Sequence, residues 1–254
     1  YSDTRMGASM DSYLNGYNDP RLPVYFQPVT DGDNKGEYRG VANGMPNPQQ
    51  EDYKAMSSPN VQEKSTDSPL RWMMASEVAF LRAEGAMRGW TAEMGGTAEE
   101  FYNKGIELSF LENGLSADAA ARYAADETSK PTDFTDVSAA NTKYNISALG
   151  KIAIKWNSGA SEEEQLERII TQKWIAMFPN GTEAWSEFRR TGYPRLFPVR
   201  YNYPSSGVDT NKQIRRMVFP QSEYSNNGAA VQEAVKLLGG PDNGGTKLWW
   251  DKKN

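Results

Sequence analysis

The alternation of apolar and polar positions changes sharply near residue 68. Before that point, residues 1–67 are interrupted so often by Gly, Pro, Asn and Asp that no helical period survives, and turns with extended pieces are expected. Apolar patches such as 22–26 are candidates for short strands. We therefore expect one domain over residues 1–254, with an irregular, loop-rich segment over 1–67 and a helical part over 68–254.

The first strong helical pattern follows Asp67, Ser68 and Pro69, which offer a cap and a proline at the first helical position. Apolar residues then recur every three or four positions until Gly89, so the pattern predicts a helix over 69–88. Small residues on its other side allow a second helix to approach closely, and we expect an interior helix packed on both sides. The apolar positions are Leu70, Met73, Met74, Val78 and Leu81, and the small ones are Ala75, Ala79, Ala83, Gly85 and Ala86.

A second helix is predicted over 97–113. Thr97 and Glu100 have the spacing of a capping box, and Gly114 follows the last helical position. Together the two helices predict an αα-hairpin of the tetratricopeptide type, although the sequence does not demonstrate the period of about 34 residues that defines such repeats.

The rest of the chain is predicted to contain mostly helices joined by irregular connections. Ser161 and Glu164 form another capping box at the start of one helix. The fold class is therefore mainly α, with long irregular loops and few short strands. We predict helices over 116–126, 161–178, 182–191 and 228–238, and short strands over 151–156 and 214–219.

Composition and charge exclude several classes of function. Among 254 residues, 38% are hydrophobic and 24% are charged, and the net charge is −5, so neither nucleic acid nor an anionic membrane surface is an expected partner. The chain has no His and no Cys. Nucleophiles that depend on either residue, Cys/His zinc sites, haem and iron–sulfur ligation and disulfides are therefore excluded. We predict no cofactor, no metal and no catalytic residue.

The start of the chain does not have the features of a targeting segment. Tyr1 is followed by no basic stretch, no apolar run and no Cys that could carry a lipid. The longest apolar runs are far shorter than the ~20 residues of a membrane-spanning helix. We expect that processing or truncation removed the true start.

Two loop motifs resemble ligand sites but lack residues that those sites need. The segment 31–42 has the acidic start of a calcium loop, yet Lys35 occupies a ligand position and Ala42 replaces the bidentate Glu. The segment 240–247 resembles a phosphate-binding loop, but a Thr replaces its Lys and Asp242 would repel phosphate. We expect solvated turns in both places.

Glu183 and Glu187 lie one turn apart in a predicted helix, beside Arg189 and Arg190. Glycosidase carboxylates flank their substrate from opposing elements, whereas carboxylates one turn apart on one helix point the same way. Ion pairing with the nearby Arg residues is therefore favoured, and a carboxylate-based glycosidase is the weakest functional hypothesis.

Aromatic residues fall into two groups. Those on predicted helices lie on or next to apolar stripes and are expected in the core; they are Trp72, Phe80, Trp174, Trp185 and Phe188. Most of the 13 Tyr lie in loops, where a flat apolar face and a hydroxyl suit contact with a sugar ring or a protein surface. The alternative is that these rings cover the helix layer beneath long loops. The candidate ligand contacts are Tyr17, Tyr25, Tyr38, Tyr53 and Tyr201.

Four ordered stretches together resemble the SusD-like (SusD/RagB) family. They are the hairpin residues 71–90 with 101–106, the signature 170–178 with 183–185 and 188–194, the ending 239–242 with 248–251, and the segment 13–21. The resemblance spans nearly the whole chain and covers about the later half of a family member's typical length.

The resemblance implies a SusD-like fold, mostly helical with tetratricopeptide-like hairpins, tethered to the external face of the outer membrane by an N-terminal lipid that this chain lacks. It also implies a non-catalytic protein that captures an oligo- or polysaccharide, or another nutrient, and sits as a lid on a SusC-like TonB-dependent transporter. The alternative is a protein-interaction module that docks the transporter and carries non-sugar cargo. Ligand positions vary between family members, so the Tyr candidates rest on the loop argument.

Overall fold

Helices dominate the computed structural model, which describes residues 4–44, 50–60, 71–137, 144–203 and 206–253. Within these residues, strand pairing is limited to isolated β-bridges, and the prediction of a mainly α fold is confirmed. The helices are α1 Ala8–Gly16, α2 Leu22–Tyr25, α3 Gln50–Tyr53, α4 Ala75–Met87, α5 Thr91–Met94, α6 Ala98–Glu112, α7 Ala117–Ala124, α8 Glu162–Ala176, α9 Gly181–Thr191 and α10 Gln221–Leu237.

The strand predicted over 151–156 does not form, and two of its backbone carbonyls accept from tyrosine side chains instead of from a neighbouring strand. The carbonyl of Ile152 accepts from the hydroxyl of Tyr17 at 3.2 Å, and that of Ile154 from the hydroxyl of Tyr102 at 2.5 Å. All four residues are buried or nearly so. Tyrosine hydroxyls thus satisfy an extended segment that lies inside the molecule.

The other two strand predictions are also wrong. Residues 22–25 form α2, in which a proline near the start has the φ that a helix needs. Residues 214–219 are irregular, and the backbone N–H of Arg215 donates to the carbonyl of Gly244 at 2.7 Å. In both places the apolar run is too short for its pattern to distinguish a strand from other local structure.

The segment 1–67 contains more regular structure than its composition indicates. It includes α1, whose Tyr13 and Leu14 are buried in the main core. The buried carboxylate of Asp11 accepts from the backbone N–H of Gly40 at 2.6 Å, which ties α1 to the following loop. Contacts distant in sequence therefore stabilise this helix against its weak intrinsic propensity.

The predicted hairpin is confirmed and consists of α4 and α6. Thr97 and Glu100 form the predicted capping box, and α6 ends within one residue of its expected limit. At the crossing, a Cβ on Gly105 would lie 2.6 Å from the ring of Phe80, so the two backbones approach as closely as a glycine allows. The small residues Ala79, Ala83, Gly85 and Ala86 of α4 are buried, as the pattern predicts.

Helix α4 begins at Ala75 rather than at 69, and its N-terminal cap comes from the partner helix. The carboxylate of Glu112 accepts from the backbone N–H of Ser76 at 3.0 Å and from its hydroxyl at 2.6 Å. Residues 71–74 are not helical, and 69–70 lie outside the described residues. The cap therefore follows from the packing of the hairpin and not from the residues before the helix.

One side of α4 is not packed as expected. Val78 and Leu81 are each 40% exposed, and Trp72, predicted in the core, is 86% exposed ahead of the helix. Phe80 and Phe188 are buried as predicted, whereas Trp174 and Trp185 are half-buried. The prediction of an interior helix is therefore wrong for the side that carries Val78 and Leu81.

The remaining helices follow their predictions at most ends. Helix α8 begins after Ser161, whose hydroxyl accepts from the N–H of Glu164 at 3.3 Å. Helix α10 begins seven residues before the predicted 228, at Gln221, and contains a kink at Asn227 with φ −143°. The main core forms where α1, α4, α6 and α8 meet.

Candidate ligand-binding site

The five candidate tyrosines lie in different surroundings. Tyr17, Tyr25 and Tyr53 are buried, Tyr38 is half-buried against the main core, and Tyr201 is 44% exposed. The expectation that loop position gives an exposed ring is therefore wrong for the three buried tyrosines. Of the five, Tyr201 presents the most accessible ring to a ligand.

The buried tyrosines act as internal braces. The ring of Tyr25 packs against Phe178 with centroids 4.9 Å apart, and its hydroxyl accepts from the Asn113 amide at 3.3 Å. Burial raises the pKa of Tyr25 to about 12 and that of Tyr17 well above its ordinary value. Both hydroxyls therefore stay protonated. These residues support the alternative that loop tyrosines cover the helix layer.

An exposed aromatic pair lies in the loop before α10. The rings of Tyr201 and Tyr203 are 5.6 Å apart at 76°, an edge-to-face arrangement, and Tyr203 is 72% exposed. Tyr203 is not among the candidates predicted from the sequence. The spacing of two positions was the available signal, because in extended chain it places both rings on one side.

Hydrogen bonds from Arg200 hold this loop against two other segments. The backbone N–H of Arg200 donates to the carbonyl of Asn43 at 3.1 Å, and its guanidinium donates to the carbonyl of Asn145 at 2.7 Å. Gly44 has φ +74°, and a Cβ there would lie 2.3 Å from Val199. The loop therefore has a defined position although its aromatic rings are exposed.

Polar residues lie in this loop and in the two segments that Arg200 contacts. The side chains of Asn43 and Asn145 are exposed, and the amide of Asn202 donates to the carbonyl of Val208 at 3.4 Å. A site that combines exposed aromatic faces with amide groups can hold a ligand that has both flat C–H surfaces and hydroxyls. Such an arrangement is suited to binding.

A separate cleft lies beside the junction of α8 and α9. Its volume is about 360 Å³, and a neighbouring cavity of about 230 Å³ shares Trp174, Phe178 and Leu196 with it. Most of its lining is apolar, including Met10, Ala184 and Phe188. A polar ligand would lose hydration there and find few partners, so this cleft fits an apolar side chain better than a sugar.

The acidic residues of α9 form ion pairs with basic residues. Lys173 Nζ lies 2.8 Å from Glu183 and 3.2 Å from Glu187, and Arg190 lies 2.6 Å from Glu187. Burial disfavours the charge on Arg190, yet Glu84 and Glu187 raise its pKa above the ordinary value. The predicted pairing of Glu187 with a nearby Arg is confirmed, and Lys173 is a partner that spacing did not indicate.

The two loop motifs that sequence reasoning set aside have local hydrogen bonds. Asp31 accepts from the N–H of Gly32 at 2.9 Å in an exposed turn. Asp242 pairs with Arg216 and accepts from the hydroxyl of Tyr224 at 2.7 Å. Among the described residues, no three acidic side chains gather as a metal site would require.

No helix in the described part of the chain has both the length and the apolar character that crossing a membrane requires.

Comparisons with known proteins give one family and many solved structures. The family model described as SusD-like, SusD and RagB outer membrane lipoprotein, matches residues 1–251. A chitin-binding SusD homologue from Flavobacterium johnsoniae is 42% identical, with a TM-score of 0.90 over 98% of this chain and 50% of its own. A SusD homologue from Bacteroides vulgatus is 39% identical, with a TM-score of 0.91 over 99% of this chain and 50% of its own.

A third structure, a SusD-like protein from Bacteroides thetaiotaomicron, is 44% identical, with a TM-score of 0.89 over 97% of this chain and 50% of its own. The chain therefore spans about half the length of the solved relatives that it matches. Among curated proteins, the sequence has no match.

Proposed function

The chain belongs to the SusD-like family of outer membrane lipoproteins, and from that premise we propose that it binds a glycan at the cell surface without transforming it. The observation that carries the proposal is the exposed pair Tyr201 and Tyr203, held in place by the contacts of Arg200. The glycan stacks a sugar face on these rings, and the neighbouring amides bond its hydroxyls.

The chemistry of the relatives supports a sugar ligand. The Flavobacterium johnsoniae homologue is described as chitin-binding. Chitin oligosaccharides are therefore the first ligands to test for this chain. Their N-acetyl groups and hydroxyls need hydrogen-bonding partners, which the tyrosine loop offers and the apolar cleft beside α8 and α9 does not.

Delivery to a SusC-like TonB-dependent transporter, from the external face of the outer membrane, completes the proposed role. The family description as outer membrane lipoprotein supports the location at that membrane. In this role the protein holds cargo and the transporter moves it. No catalytic step is assigned to the chain, because Glu183 and Glu187 are paired with Lys173 and Arg190.

The binding test compares the chain with a variant that lacks both rings, Tyr201→Ala with Tyr203→Ala. We expect the affinity for chitohexaose, measured by isothermal titration calorimetry, to fall about tenfold or more because two exposed stacking faces are lost. Trp249→Ala is the matched control, since Trp249 is an exposed aromatic residue outside this loop. Equal binding by the chain and the double variant would place the glycan elsewhere.

A protein-interaction role with non-sugar cargo is the second candidate, and the apolar cleft lined by Trp174 and Phe178 favours it. It predicts that the chain binds no member of a panel of oligo- and polysaccharides in affinity electrophoresis and still co-purifies with the transporter. If any one glycan retards the chain in the gel, and this retardation is lost in the double tyrosine variant, the result would support glycan binding instead.

A further inference from the structure

The apolar cleft beside α8 and α9 adjoins a second cavity that leads towards the tyrosine loop. The cleft has a volume of about 360 Å³ and its neighbour one of about 230 Å³. Because lining residues are common to both, the two spaces meet, and we call them together the joined cleft. The common lining residues are Met10, Trp174, Phe178, Leu196 and Gln213.

The smaller cavity lies beside the loop that carries the exposed tyrosines. Asn43 lines it, and the carbonyl of Asn43 accepts from the backbone N–H of Arg200 at 3.1 Å. A Cβ on Gly44 would lie 2.8 Å from the carbonyl of Tyr201, so this segment is in direct contact with the loop. Phe197 also lines the cavity, and four residues of chain span at most about 14 Å, so its Cα lies within that distance of the Tyr201 Cα. A single ligand can therefore reach both places.

The larger cavity is walled by aromatic rings that protein contacts already hold in place. Trp174 packs on Tyr13 with ring centroids 5.7 Å apart. Trp185 donates its indole N–H to the carbonyl of Ile214 at 2.8 Å, and the guanidinium of Arg189 lies 3.5 Å from the centre of its ring. The indole N–H is thus already used, and the ring of Trp185 offers carbon surface to a ligand. Rings that are fixed before binding lose little conformational entropy when the ligand arrives.

Gln213 brings an amide to the place where the two cavities meet. Its side-chain N–H donates to the carbonyl of Phe197 at 3.1 Å, and its amide oxygen accepts no hydrogen bond from the described part of the chain. Its φ of +57° is uncommon for a residue other than glycine, and such strained backbones cluster at functional sites. The amide oxygen is therefore available to a hydroxyl at the point where an apolar space meets a polar one.

The volume and the lining define the chemistry of the occupant. An apolar cavity of about 150 Å³ holds a benzene ring, so a cleft of about 360 Å³ accommodates a group of two fused rings. A sugar or a charged group would lose its hydration there without finding enough partners. Aromatic walls instead favour an uncharged aromatic group, which gains ring-to-ring contacts as well as burial.

We propose that the joined cleft binds the aromatic aglycone of a glycoside whose sugar part lies on Tyr201 and Tyr203. Gln213 accepts from a sugar hydroxyl near the junction of the two parts. The proposal rests on the proposed glycan binding at the tyrosine pair and adds a second contact to it. Because the two parts belong to one molecule, the second contact forms intramolecularly, and the glycoside binds more tightly than the sugar alone.

The test compares two probes on the parent chain by isothermal titration calorimetry. They are chitotriose and 4-methylumbelliferyl chitotrioside, which carries the same sugar on a neutral group of two fused rings. We expect the glycoside to bind about tenfold more tightly or better, because the ring group is removed from water. The variant Tyr201→Ala with Tyr203→Ala should weaken the binding of both probes, since both place their sugar on the same rings.

A second variant fills the cleft. Ala184→Phe places a ring in the space meant for the aglycone and should reduce the ratio of the two affinities to about one. Ala184 is half-buried and lines an open space, so the variant is expected to fold. Ala234→Phe is the matched control, because it makes the same change at a half-buried alanine of α10 away from the cleft, and the tenfold ratio should persist.

Three outcomes would overturn the proposal. The parent chain could bind both probes with equal affinity, Ala184→Phe could keep the tenfold ratio, or the double tyrosine variant could bind the glycoside as tightly as the parent chain. The first two outcomes leave glycan binding at the tyrosines intact, so they refute the aglycone site alone. If neither chitotriose nor chitohexaose binds the parent chain, the proposed function itself fails for this sugar, and the aglycone proposal fails with it.

Discussion

Asp126 stabilises the turn that follows α7 through its ionised carboxylate. One carboxylate oxygen accepts from the backbone N–H groups of Thr128 and Ser129 at 2.8 and 2.9 Å, and the other accepts from the Ser129 hydroxyl at 2.6 Å. Burial would raise the pKa of this group, but the hydrogen bonds outweigh it and lower the pKa to about 2. The bonds therefore favour the charged form.

This shift predicts a pH dependence with a definite sign. Because the folded pKa lies below the ordinary value of 3.8, the stabilisation is present above pH 3.8 and is lost as the pH falls through about 2. Asp126→Asn should lower the free energy of unfolding at pH 7 by about 1 kcal/mol or less, since the group is largely exposed. Urea denaturation at pH 7 and near pH 2 measures the difference, which should be much smaller at the lower pH.

A loss in Asp126→Asn that stays the same at both pH values would contradict this explanation. Asp209→Asn provides a comparison at a fully exposed turn, where the backbone N–H groups of Lys212 and Asn211 lower the pKa of a similar carboxylate.

Whether a tyrosine is buried or exposed could not be predicted from its local sequence. Tyr17, Tyr25 and Tyr201 all lie outside long predicted helices, yet the first two are buried and the third is exposed. What separates them is contact with distant segments, such as the carbonyl of Ile152 that accepts from Tyr17. The local sequence does not contain these partners, so it could not distinguish Tyr201, which reaches the surface, from the tyrosines that are buried.

The α4 and α6 hairpin depends on one residue without a side chain. A methyl group on Gly105 would meet the ring of Phe80 at 2.6 Å, and that ring has no exposed surface into which it could turn. The same residue lies within a helix, where alanine is intrinsically favoured over glycine by about 1 kcal/mol. An alanine at position 105 would therefore have two opposite effects on the free energy of unfolding: the clash lowers it and the better helix propensity raises it.

We expect the steric effect to dominate. Gly105→Ala should lower the free energy of unfolding by about 1–3 kcal/mol, because overpacking forces α4 and α6 apart. Gly228→Ala is the matched control in α10, where an added methyl meets nothing within 4 Å, and it should be neutral or slightly stabilising. Thermal and urea denaturation measure the stability of both variants. Equal effects of the two substitutions would contradict the explanation by overpacking.

Helix ends were predictable where the signal is local. The capping residues Thr97 and Ser161 lie next to the helices that they start, and both act as predicted. The start of α4 was predicted too early because its cap, Glu112, belongs to the other helix of the hairpin. The start of α10 was predicted at 228 instead of 221, because the helix continues across a kink at Asn227.

At the scale of the whole molecule, the sequence motifs were sufficient for the family and the mainly helical class, because they recur in order along the chain. The motifs do not predict which apolar side chains are exposed to solvent in this chain. Trp72 illustrates the difference, since its pattern indicates core and its ring is exposed. A periodic pattern identifies a face that needs a neighbour and cannot say whether that neighbour lies within the same chain.

The C-terminal segment is held to the rest of the molecule by a buried ion pair. Asp251 accepts two hydrogen bonds from Arg215, at 2.7 and 2.6 Å, and neither side chain is exposed to a meaningful extent. Arg215 also donates to the carbonyl of Arg189 at 2.8 Å, and the guanidinium of Arg189 lies 4.9 Å from the ring of Trp250. These contacts connect the end of the chain to α9.

Removing the acid should therefore loosen this end and destabilise the whole molecule. Asp251→Ala leaves Arg215 buried without a counter-charge, which typically costs about 3–5 kcal/mol of unfolding free energy. Lys253→Ala removes a nearby but solvent-exposed pair with Glu163, 2.7 Å apart, and should cost at most about 1 kcal/mol. Urea denaturation compares the two, and hydrogen exchange should show faster exchange over 244–253 in Asp251→Ala alone. Similar losses in both variants would mean that burial of the pair does not anchor the C-terminal segment.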